Sequence, residues 1–136
     1  MDNMAVCERF YSEIMNGGNV GLINELFAEE FVEHEEFPGL GNDRASVGQF
    51  VTMMRTAFPD LRFTPDFMIA DGDKVAIYGT MSGTHKGEFM GEAPTGKKFE
   101  TKVADFVQFA NGKAVAHWGV TDGAAMMEQL GINPGN

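Results

Sequence analysis

Asp105 is the residue that first suggests chemistry. In KFETKVADFVQF, residues 98–109, the odd positions Phe99, Thr101, Val103, Asp105, Val107 and Phe109 form a mostly apolar face, while Lys98, Glu100, Lys102 and Gln108 mark the other. A carboxylate on that face either finds hydrogen bonds and a counter-charge or has its pKa raised, and a raised pKa suits a general base or acid near neutral pH. A buried aspartate satisfied by backbone or tyrosine donors is the plain structural alternative. Further on, AVAHWGVTD at 114–122 sets His117 beside the only tryptophan, Trp118. A carboxylate and an adjacent imidazole orient and charge one another, so the pair suits general acid–base proton transfer.

The other two histidines are weaker candidates. His85 closes the GTH run with the parity of Ile77 and Met81, and His34 sits in FVEHEEF, so both could reach a pocket mouth. A lone strand histidine is more often a hydrogen-bonded structural group. The histidine spacings match no local metal motif, and no metal is expected. Residues 91–97, GEAPTGK, imitate the start of a phosphate-binding loop, but Lys98 replaces the needed Ser/Thr and a strand follows where a helix is required.

The elements that must position these groups are legible from capping and periodicity. Asp2 or Asn3 caps a first helix through about Met15, with Val6, Phe10 and Ile14 on one stripe, and Asn16-Gly17-Gly18 ends it. Asn19 caps a short second helix, Val20 to Phe27. After the irregular acidic stretch EEFVEHEEFPGLGN, Asp43 caps a third helix in which Val47, Phe50, Val51, Met54 and Phe58 recur until Pro59. Residues 61–70, 74–86, 98–110 and 113–121 read as strands, and AAMMEQL as a last short helix. Helices segregated before a run of antiparallel strands predict an α+β fold, with the N-terminal helices covering one face of a curved antiparallel sheet that closes a pocket.

The Asn111-Gly112 hairpin decides what faces Asp105. A two-residue loop would set Asp105 opposite Trp118. A three-residue loop closed by a bulge at Gly112 would set Asp105 opposite Gly119 and Val107 opposite His117. One residue of register thus exchanges His117 for Trp118.

Composition sets the outer bounds. A chain of 136 residues, 43% hydrophobic, suits one domain spanning residues 1–136. Twenty acidic against ten basic residues give a net charge of −10 with no Lys/Arg cluster, so no nucleic acid and no anionic membrane surface is expected as partner. Cys7 stands alone, no apolar run approaches the ~18 residues of a membrane span, and MDNMAVCERF has no secretory pattern. A cytoplasmic protein, bacterial in style, is the expectation. The ten methionines read mostly as adaptable gap-fillers of an apolar interior.

The run GTHKGEFMGEAPTGKKFE, then FVQFANGK, then AHWGVTD and EQLG, with FPDLRF earlier, resembles the SnoaL-like polyketide cyclases, or ester cyclases, of the nuclear transport factor two-like superfamily. The resemblance covers nearly the whole chain and is most specific in the second half. It implies that the curved sheet is cone-shaped and holds an apolar pocket, usually in a homodimer, and it implies cofactor-free lyase or isomerase-type closure of polyketide-type esters by intramolecular aldol chemistry. It also implies a catalytic aspartate at the position of Gly119 and a functional histidine at that of Asp105, both facing the pocket. That favours the bulged loop with His117 inward, and marks a departure, since this chain has glycine at 119 and carboxylate at 105.

The expected catalytic set is therefore Asp105 and His117, with His85 and His34. Tyr78, Phe89, Met90, Val103, Val107 and Gly119 are the expected substrate-binding positions, Phe89 and Met90 as an apolar lid. The expected ligand is a small apolar carbonyl compound. A hydratase, dehydratase, isomerase or epoxide hydrolase on the same cone, or a non-catalytic binding module, are the alternatives. A carboxylate, an imidazole and a third donor converging on one spot would favour catalysis. If Asp105, His117 and Gly119 face inward, then Ala104, Phe106, Trp118 and Val120 share the outer face, where Trp118 is the expected anchor of a homodimer.

Overall fold

Asp2 begins the first helix by accepting a hydrogen bond from the Ala5 N–H, in a computed structural model that describes residues 2–132. Helix α1 runs Asn3–Arg9 and then widens into a π-helical stretch, Phe10–Met15, where the Asn16 N–H reaches back to the Tyr11 carbonyl. The Asn16 side chain then ties this end to the sheet, donating to the Phe63 carbonyl and accepting from the Phe63 N–H. The chain turns at Gly18, whose φ of 75° suits glycine.

The expected second helix is cut short. Asn19 makes no side-chain cap, a 3₁₀ turn covers Val20–Leu22, and α2 is a single turn, Ile23–Leu26. Phe27 opens a strand instead. Strand β1, Phe27–Glu33, runs through residues expected to be irregular, burying Phe27, Ala28 and Phe31 while its glutamates are exposed or half-buried. Helix α3, Arg44–Ala57, starts on the Asp43 cap as expected and buries Val47, Val51, Met54 and Ala57.

Strands β2 (Arg62–Asp71), β3 (Lys74–Thr84), β4 (Lys98–Ala110) and β5 (Lys113–Thr121) follow, then helix α4 (Gly123–Leu130). The sheet order is β1-β5-β4-β3-β2, curved and unclosed. All pairings are antiparallel except β1 with β5, which is parallel, so the fully antiparallel sheet expected from sequence gains one parallel edge strand. The α+β class and the N-terminal helical cover are as expected.

The β4–β5 hairpin corrects the reasoning while keeping the register. Ala110 pairs with Lys113 across a two-residue turn in which Asn111 and Gly112 both have positive φ, 53° and 80°. The extra residue sits in the strand: Phe109 faces Ala114 and Gln108 faces Ala116, leaving Val115 as the bulge. Asp105 therefore opposes Gly119, and Val107 opposes His117.

At one end of the sheet the core is an aromatic cluster. Phe58, fully buried, meets Phe89 and Phe99 edge-on with centroids 5.2 and 4.9 Å away. Gly83 lets it approach, because a Cβ there would lie 2.9 Å from the Phe58 Cβ. Burying each such ring contributes roughly 1.5–3 kcal/mol.

Candidate active site

Between the sheet and the helices lies a cavity of about 300 Å³, at the small end of the range for small-molecule sites. Its wall is largely apolar, and six methionines face it: Met15, Met54, Met81, Met90, Met126 and Met127. Phe89, Val103 and Val107 line it as expected, and half-exposed Met90 stands at the rim with Phe89 fully buried beside it.

On one side of this cavity four polar side chains form a chain of hydrogen bonds. Asp105, 8% exposed, projects from the inner face of β4. Its Oδ1 meets the His117 Nε2 at 2.8 Å, and its Oδ2 accepts from the Tyr11 hydroxyl at 2.8 Å. The other imidazole nitrogen, Nδ1, lies 2.5 Å from the Glu33 Oε1. Tyr11 is held flat by stacking on Phe63, centroids 4.2 Å apart.

The electrostatics follow from these contacts. Burial by itself disfavours an imidazolium, but hydrogen bonds to Asp105 and Glu33 outweigh it and lift the His117 pKa to about 10. His117 is thus a cation at neutral pH, donating from both nitrogens. Burial and the Asp105 charge push Tyr11 well above the usual phenol range, so it remains a donor. Burial raises the Cys7 thiol to about 12, which removes it as a nucleophile although it lines the cavity.

A further carboxyl joins the group. Glu35, just beyond β1, accepts from the Thr121 hydroxyl at 3.2 Å. Burial raises its pKa, with Asp105 and Glu33 adding to the rise and His117 and Thr121 opposing it. Glu35, Asp105 and His117 each offer a ligand atom within 4.8 Å of the others, the one trio among the described residues that could hold a metal ion. An ion there would first have to displace the proton from His117 Nε2, which the two flanking carboxylates hold tightly.

Several expected positions lie elsewhere. His85 is fully buried away from the cavity, its Nδ1 accepting from the Thr95 N–H, its ring among Phe58 and Phe89. His34 is exposed and stacks on Trp118 with centroids 4.7 Å apart, on the outer face. Tyr78 is outward too, beside Phe67, because its even parity on β3 opposes that of Ile77. Gly119 offers no side chain, and a Cβ there would collide with the Glu35 carboxyl.

Tyr11, Glu33 and Glu35 went unrecognised in the sequence. Tyr11 shares a helical face with Cys7, Ile14 and Met15, and a buried tyrosine needs a partner for its hydroxyl. The alternation of Glu33 and Glu35 carries meaning only once β1 is known to be a strand.

Similar architecture recurs in solved structures. IdmH from Streptomyces antibioticus, a proposed polyketide cyclase, is 31% identical over 97% of this chain and all of its own, with a TM-score of 0.82. AclR from Streptomyces galilaeus, a proposed hydroxylase, is 27% identical over 98% of this chain and 83% of its own, with a TM-score of 0.81. TsrD from Streptomyces laurentii, at 21% identity, shares the fold over 98% of this chain and 99% of its own, with a TM-score of 0.87. No curated protein sequence matches. The sequence profile of the SnoaL-like polyketide cyclases spans residues 5–130, essentially all of the helices, sheet and hydrogen-bonded group just described, and the chain belongs to that family.

Proposed function

We propose that the protein closes a ring in an apolar polyketide-type ester by intramolecular aldol chemistry, with Asp105 as the base. The observation that carries this is the Asp105 carboxylate facing an apolar cavity with one hydrogen bond to each oxygen, from His117 and Tyr11. Those donors fix its direction and leave lone pairs free for a proton. With a pKa near 10, His117 is not the base; it positions Asp105 and offsets its charge. Asp105 takes the proton from carbon next to a carbonyl, and the released electron pair forms the enolate. The enolate carbon bonds to a second carbonyl carbon of the same molecule, whose oxygen receives a proton from the site. Substrate and product are isomers, and only protons move. A simple binding module would need no such convergence of carboxylate, imidazolium and phenol.

The test uses an aryl β-keto ester bearing a second ketone as probe, in deuterium oxide. Wild-type protein should exchange the α-proton and close the ring. Asp105→Asn should slow both by at least about 100-fold with the fold intact, as for loss of a general base. Wild-type rates in that variant would remove Asp105 from the chemistry.

We also propose that a second copy of the chain covers the outer sheet face. Across four strands Ile69, Ala76, Phe106 and Trp118 form one row, and Phe67, Tyr78, Ala104 and Val120 the next. Phe67, Ile69, Phe106, Trp118 and Val120 are all exposed, Val120 at 67%. Such a stripe is the usual mark of an interaction surface.

A further inference from the structure

We propose that Glu35 is the acid partner of Asp105, the group that protonates the oxygen on which charge arrives as the ring closes. The proposal rests on the cyclisation reading above and deepens it. Three carboxyl groups, Glu33, Glu35 and Asp105, share one imidazolium, His117. If all three were ionised, the group would hold a net charge of −2 against an apolar cavity, so one proton is best retained.

The hydrogen bonds decide which carboxyl retains it. Asp105 has Tyr11 and His117 as donors, each at 2.8 Å. Glu33 has His117 at 2.5 Å and the Glu35 N–H at 3.0 Å. Glu35 has only the Thr121 hydroxyl, at 3.2 Å. It is the least supported as an anion, and its raised pKa agrees. Glu35 lines the same cavity as Asp105, within reach of a molecule that Asp105 could touch.

Residue 119 supplies a second, independent observation. A Cβ at Gly119 would overlap the Glu35 Oε1 and come within 2.9 Å of the His117 ring. A side chain on β5 at this point and the Glu35 carboxyl therefore compete for one volume. The glycine admits a carboxyl that arrives from just beyond the end of β1.

In the ring-closing step the new C–C bond forms as the second C=O π bond breaks. Its oxygen takes the Glu35 proton, and the proton held by Asp105 afterwards returns to Glu35 through water. No other reagent is consumed.

The keto ester probe separates the two roles. Glu35→Gln should keep α-proton exchange within a few-fold of wild type while ring closure falls about 100-fold. In a Glu35→Ala background, where closure is lost, adding Gly119→Asp should restore at least about tenfold of it, since that carboxyl grows into the vacated space. Ring closure at the wild-type rate in Glu35→Gln overturns the proposal, as does equal loss of exchange and closure, which marks a structural role. A substrate-free measurement stands beside these. In carbon-13 spectra of the side-chain carboxyls, the resonance missing from Glu35→Gln should titrate above the ordinary 4.5. Titration at the ordinary value overturns the proposal whatever the probe does. Wild-type protein inert in both probe assays counts against cyclisation itself, and the titration then decides the Glu35 assignment alone.

Discussion

His117 shows how one side chain joins stability to pH. Its folded pKa, about 10, lies above the ordinary 6.5 of an unfolded histidine. The pair with Asp105 and Glu33 therefore stabilises the fold fully below pH 6.5, and that stabilisation is lost as pH rises through 10, at up to about 1.4 kcal/mol per unit. Denaturant unfolding followed from pH 6.5 to 8.5, below the range where Cys7 and Tyr11 add the same trend, should show stability falling in the wild type and much flatter in His117→Gln. A wild-type profile as flat as the variant's would mean that His117 is neutral in the folded protein. Asp105 and His117 were legible in the sequence because strand parity marks a carboxylate on an apolar face. Glu33 and Glu35 were not, because alternating glutamates in an acidic run look solvated until a neighbouring strand brings an imidazole to them. Tyr11 was not either, because nothing near it in sequence marks a partner for its hydroxyl; it lies in the core with that hydroxyl spent on Asp105.

Among the elements, the β4–β5 hairpin reached the right register for a different reason than the sequence suggested. Asn-Gly favours a tight two-residue turn, and the turn is tight. The bulge at Val115 then shifts the rest of β5 by one residue, which keeps both Ala114 and His117 on the cavity side. Deleting Val115 would remove the bulge while preserving every pair on either side of it. That variant should remain folded, at a cost of no more than about 2 kcal/mol, and retain the elevated His117 titration by NMR. A His117 titrating near the ordinary value would show that the bulge aims the ring as well as setting its register. Four strands, α3 and α4 were legible because caps, turn glycines and periodicity agree along them. Strand β1 was not: it pairs on one side only, in parallel, with a register shift between Phe27 and Val32, so its burial never alternates cleanly. The π-helical stretch leaves no mark in a capping or periodicity pattern either.

At the scale of the whole molecule, the outer sheet face and the cavity are both broad apolar surfaces, and parity had assigned Trp118 to the first. Trp118 is 38% exposed there with His34 laid flat on its ring, so one chain only partly covers it. Sedimentation at micromolar concentration should show a homodimer, and Trp118→Arg should give a folded monomer by weakening association at least about 30-fold, the loss of a central aromatic anchor worth about 2 kcal/mol. A wild-type monomer would remove the interface. The cavity's methionines carry a consequence of another kind. A thioether accepts an oxygen atom from peroxide and becomes a sulfoxide, a polar and chiral group that reductases can reverse. Met90 at the rim is half exposed, whereas Met15, Met54, Met81 and Met126 are buried. Oxidative damage therefore works from the mouth inward, turning the entrance polar while the fold behind it stands, and a reductase that reaches the rim can undo it.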